Sequence, residues 1–129
     1  MFIILMKKSR IVFVEIYGQD ENIINKEFYV YGDNCIERIY FTNVGRLRNI
    51  SMLLVEGECI KKELNWGVYG CSESDYVYAG SRLEKILVQQ KEHVDPSFNE
   101  FEVDFEYNAD ELMCIVNVFP NGYQEQRYP

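Results

Sequence analysis

Residues 81–92 read SRLEKILVQQKE, and they carry the one helical pattern in the chain. Ser81 followed three residues later by Glu84 makes an S-x-x-E capping box, in which the two side chains satisfy the first free amides of a helix. Leu83, Ile86 and Leu87 fall at i, i+3 and i+4, on one face of a 3.6-residue period. The spacing predicts a helix over 82–92, and Pro96, which cannot continue one, sets its limit.

Outward from this segment the pattern changes to a period of two. Arg10–Tyr17 (RIVFVEIY) is β-branched and aromatic and ends in Gly18-Gln19-Asp20, a turn. Residues 26–31 (KEFYVY) close on Gly32-Asp33-Asn34, and residues 36–42 (IERIYFT) resume with Ile36, Arg38 and Tyr40 on one side, so the three strands read as a meander. Residues 49–56 and 59–64 flank Gly57-Glu58, a tight hairpin. Residues 66–79 (WGVYGCSESDYVYA) break at glycine and serine, with a short strand at 76–79. Residues 101–107 and 112–119 form the last hairpin. The expected fold class is α+β: a mainly antiparallel, strongly curved β-sheet with one well-defined helix, over about 82–92. The chain of 129 residues reads as a single domain, with 1–8 as an extension (Met6 is an alternative start) and 120–129 as a polar tail.

Composition narrows function. The opening MFIIL is apolar, but no basic segment precedes it and no small-residue cleavage site follows, so it reads as neither a signal peptide nor a membrane span, and a cytoplasmic protein is expected. Cys35, Cys59, Cys71 and Cys114 show no CxxC spacing and His93 is the one histidine, which predicts reduced thiols rather than zinc or disulfides. Phosphate-loop, dinucleotide, zinc-protease and nucleophile-elbow motifs are all absent. His93, two residues from Asp95, reads as a charge at the expected helix C-terminus rather than as a catalytic base. Glu102, Asp104 and Glu106 stand about 6.7 Å apart along a strand. An exposed strand face, however, neither raises a carboxyl pKa as glycoside hydrolysis requires nor converges oxygens on calcium. The sequence predicts no enzyme, no cofactor and no metal.

The charge is one-sided. Residues 1–91 hold twelve Lys/Arg and twelve Asp/Glu, whereas residues 92–129 hold Arg127 against nine acids, so the net charge of −8 lies in the last third. Direct nucleic-acid binding needs a basic footprint and is not expected, while a basic protein partner is. Residues 99–111 read NEFEVDFEYNADE: Phe101, Val103, Phe105 and Tyr107 alternate with Glu102, Asp104 and Glu106 behind Glu100. Neighbouring like charges at this spacing repel by about 0.6 kcal/mol in water, a cost that a cationic partner relieves. If Tyr107 pairs with Leu112, strict alternation brings Met113, Ile115, Asn117 and Phe119 out beside the carboxylates. The expected partner-binding set is therefore Glu100, Glu102, Asp104, Glu106, Asp110, Glu111, Met113, Ile115 and Phe119, an acidic row with apolar anchors. Such a surface suits an immunity or antitoxin-type inhibitor of a basic toxin nuclease, or a phage-type nucleic-acid mimic acting on a nucleic-acid-binding effector. A third reading is a small-ligand module in which Trp66, Tyr69, Tyr76 and Tyr78 line a pocket.

Overall fold

The computed structural model describes every residue except Met1, Ser9, residues 20–22, residues 43–44 and Pro96. The chain forms β1 (Phe2–Lys7), β2 (Arg10–Tyr17), β3 (Ile23–Tyr31), β4 (Cys35–Thr42), β5 (Leu47–Glu56), β6 (Cys59–Gly67), β7 (Gly70–Ala79), β8 (Arg82–Glu92), β9 (Phe98–Asn108), β10 (Glu111–Val118) and β11 (Gln124–Tyr128). These 11 strands make one antiparallel sheet whose order across is the order along the chain, and strands touch only their sequence neighbours. Strands take 78% of the described residues and none of these is helical. The α+β expectation is thus corrected to all-β. The expected extension forms β1, most of the expected loop at 66–79 belongs to β6 and β7, and the expected polar tail contains β11.

The predicted helix is β8. Gly80, with φ of 63°, and Ser81 form the two-residue turn of a hairpin in which Ala79 faces Arg82. Ser81 is therefore a turn residue and caps no helix. The register then slips, because Tyr78 faces Leu83 while Val77 faces Lys85, leaving Glu84 as the extra residue of a bulge. A bulge breaks strict alternation, so Leu83 and Ile86, three apart, share one face of the sheet. That spacing imitates a helical stripe, while Leu87 emerges on the opposite face. Pro96, read as the helix stop, lies outside the described residues.

Directly opposed residues share a face, so the registers sort the side chains. One transverse row runs Arg38, Ser51, Asn65, Ser72, Gln90 and Asn99 across β4 to β9. The row on the reverse side runs Phe28, Ile39, Ile50, Trp66, Cys71, Lys91 and Phe98. Among the described residues four are buried, Val14, Ser51, Ser74 and Val103, and all belong to the first face, here termed the crowded face. The reverse is the open face. With two valines as its buried apolar residues, the sheet is a single layer. It exposes 9334 Å², against about 7,100 Å² for a globular chain of its mass.

Polar side chains bind the crowded face together. Ser51, 1% exposed, donates to Asn65 Oδ1 and accepts from Asn49 Nδ2 at 3.2 Å and Arg38 Nη2 at 3.4 Å. Asn65 Nδ2 donates to Glu63 at 3.1 Å and to Ser72 at 3.2 Å, and the Tyr76 hydroxyl donates to Glu63 at 3.0 Å. This network crosses β4 to β7, and its hydrogen bonds satisfy Ser51 where no water reaches. His93, expected at a helix end, instead bonds the Gly67 carbonyl through Nε2 at 2.8 Å, while its amide donates to Tyr69 at 2.9 Å. It clamps the end of β8 to the β6–β7 turn.

Two outcomes are expected. A Cβ on Gly70 would run into the Lys91 carbonyl and lie 2.9 Å from Glu92 Cα. Gly70→Ala should therefore lower stability in urea by about 2 kcal/mol, whereas Gly32→Ala, whose nearest neighbour is 3.5 Å away, should change it little. Burial, then the Glu63 carboxylate beside it, pushes the Tyr76 hydroxyl up to about 12 from 10.0. The folded state therefore holds this proton more tightly than the unfolded chain does. The resulting stability is complete below pH 10 and lost as pH rises towards 12. Urea unfolding at pH 9 and 11.5 should show this loss, reduced in Tyr76→Phe.

Candidate functional site

β9 lies between β8 and β10, and its registers set the surroundings of the acidic row. On the β8 side Lys85 faces Asp104, Leu87 faces Glu102 and Gln89 faces Glu100. On the β10 side Cys114 faces Glu106, Val116 faces Asp104 and Val118 faces Glu102. One strand further, Asp75 faces Leu87 and Glu73 faces Gln89. The open face of β7 to β10 thus carries Glu73, Asp75, Glu100, Glu102, Asp104 and Glu106 against Lys85 and Lys91, with aliphatic side chains between them.

The row is less uniformly negative than its sequence. Lys85 Nζ stands 3.3 Å from Glu102 Oε2, and that hydrogen bond, with the charges of Glu102 and Asp104, raises the Lys85 pKa. Lys62 on β6 pairs with Glu73 and lies 3.4 Å from Asp75, which raises its pKa as well. Gln89 donates to Glu100 at 3.1 Å and Arg82 donates to Asp110 at 2.8 Å. The repulsion expected of an unbroken acidic row is therefore partly relieved within the fold. Glu106 and Glu111 are exposed, while the Asp104 Oδ1 atom is buried with no hydrogen-bond partner among the described residues. A groove of about 530 Å³ opens where Asp75, Glu100 and Glu102 surround Leu87 and Val118, bounded by Phe119.

The apolar anchors do not all join the carboxylates. Tyr107 faces Leu112 as expected, but Met113 is the extra residue of a bulge between Leu112 and Cys114. That single insertion exchanges the faces of everything beyond it. Ile115 faces Phe105 on the crowded face, and Cys114, Val116 and Val118 take the positions beside the carboxylates. Phe119 packs its ring 5.5 Å from Phe101, a crowded-face residue, and 5.7 Å from Tyr123. Met113 is half exposed at the bulge, and Asp110 sits in the turn. Glu73, Asp75, Lys85 and Leu87 escape the sequence reading, which makes β7 largely a loop and β8 a helix. The alternation of Glu73, Asp75 and Val77 with Ser72, Ser74 and Tyr76 was the available signal.

Other candidates disperse. Trp66 lies on the open face, Tyr69 is exposed in a turn, and the Tyr76 and Tyr78 hydroxyls bond Glu63 and the Ile60 carbonyl, so these four aromatics line no common pocket. The four cysteines are unpaired. Among the described residues no three His, Cys, Asp or Glu side chains gather as a metal site would, and no helix is long and apolar enough to cross a membrane. The chain matches no known protein family and has no significant similarity to any curated protein.

The Lys85–Glu102 pair is more than a third exposed on both sides, so solvent screens it. A double-mutant cycle with Lys85→Ala and Glu102→Ala should return a small favourable coupling that shrinks in high salt. A coupling of zero at low salt would show that the two side chains do not interact in solution.

Proposed function

We propose that the protein is a protein-binding inhibitor of the immunity or antitoxin type, which blocks a basic partner such as a toxin nuclease through the acidic half of its open face. The observation that carries this reading is the groove of about 530 Å³ in which Asp75, Glu100 and Glu102 rim a floor of Leu87 and Val118. An arginine or lysine side chain has matching parts: a methylene stem for the aliphatic floor and a cationic head for the carboxylates. The carboxylate excess around the groove steers a basic partner towards it, and the aliphatic contacts slow its departure. A nucleic-acid mimic is supported less well, because Lys62 and Lys85 interrupt the acidic rows and would meet the basic groove of the target.

Charge reversal tests the proposal. Affinity capture at low salt with the wild-type protein should retain a basic protein whose toxicity falls when the two are co-expressed. Glu100→Lys, Glu102→Lys and Glu106→Lys together should lower its affinity by at least a hundredfold, mostly through slower association. The matched reversal of Asp33, Glu56 and Glu58, all exposed and outside this half of the face, should change affinity by a few-fold at most. Equal losses in the two triple variants would remove the acidic row from the interface.

A further inference from the structure

The other half of the open face carries a separate feature. Across β2 to β6 it presents Phe28, Val30, Leu47, Leu64 and Trp66, each more than a third exposed. Ile50, Met52, Leu64 and Trp66, with Glu73, Lys91 and Phe98 from β7 to β9, enclose a hollow of about 380 Å³ at the border with the acidic half. An apolar surface of this kind on a single layer lacks the second layer that a sheet needs to bury its apolar side. We propose that this half of the open face is covered by a second copy of the chain, the two sheets packing face to face about a two-fold axis.

Area and charge both select a second copy. The chain exposes 9334 Å², about 2,200 Å² more than a globular protein of its mass. A homodimer interface removes about 1,000–2,500 Å² from each partner, so one self-contact accounts for the excess. The β2–β6 half carries Glu15, Glu37 and Glu56 against Lys26 and Lys62, as their registers place them. Its charges nearly balance, and a two-fold contact, which sets the same patch against itself, meets little net repulsion. The β7–β10 half, with six carboxylates against two lysines, would repel its own copy. The dimer therefore covers the neutral half and leaves the acidic half free. This inference does not rest on the proposed inhibitor function.

Trp66 is the one tryptophan in the chain and sits inside the patch, so it reports on the contact directly. In size-exclusion chromatography with light scattering, the purified protein at tens of micromolar should have twice its 15.3 kDa mass. Trp66 emission should shift to the red and acrylamide quenching should rise on dilution into the monomer range. Leu64→Glu and Val30→Glu should give monomers with unchanged far-ultraviolet circular dichroism. A wild-type protein that is monomeric at 100 micromolar, or whose Trp66 is fully open to acrylamide at that concentration, overturns the proposal. So does a dimer that survives both substitutions. If the variants fail to fold, the wild-type quenching measurement still decides. Protection of Trp66 that arises only when a basic protein is added assigns the face to that partner and also overturns it.

Discussion

The lateral hydrogen bonding of antiparallel backbone holds this molecule together, since among the described residues the buried apolar ones are Val14 and Val103 alone. Each strand pairs its amides and carbonyls with those of its sequence neighbours, and none of the described strands packs across the sheet. Cohesion on the crowded face therefore falls to side chains that link adjacent strands. The bonds from Arg38 and Asn49 through Ser51 to Asn65 and Ser72 extend the backbone ladder with a second set of lateral contacts. Tyrosine hydroxyls reach over to carbonyls of other strands, as Tyr78 does to Ile60 and Tyr107 to Leu83.

Strict sequential order has a second effect, on electrostatics. In most folds a charge imbalance along the chain is mixed in space by crossovers. Here position along the chain is position across the sheet, so the acidic last third becomes one end of one surface. The balanced first part becomes the other end, where Glu15 faces Lys26 directly. The open face is thus divided into an apolar, neutral region and an acidic one. Lys62 and Lys85, with the carboxylates they meet, lie where the two adjoin and within the second.

Much of this was legible in the sequence. The limits of β2, the Gly57-Glu58 hairpin and the pairing of Tyr107 with Leu112 follow from alternation and turn chemistry, and so does the shared face of Glu100 to Glu106. Bulges hid the rest. Glu84 is an added residue that gives a strand the i, i+3 spacing of a helix, and Met113 is one that transfers Ile115 from the open to the crowded face. Seven of the ten pairings slip register in this way. A bulge is defined by the partner strand, so a single strand's residue pattern does not announce it. The groove shares this difficulty, because Asp75 and Glu102 meet only through β8.

A sheet in which every strand contacts just its neighbours behaves as a one-dimensional array. Its folding needs no long loop closed before the first contacts form: a hairpin can nucleate locally and the sheet can lengthen by adding strands at either side, the pattern of a zipper. The interior strands β4 to β7, joined twice over by backbone and by the Ser51 network, are the natural nucleus. Opening then begins at the margins, where β1 and β11 each have a single neighbour.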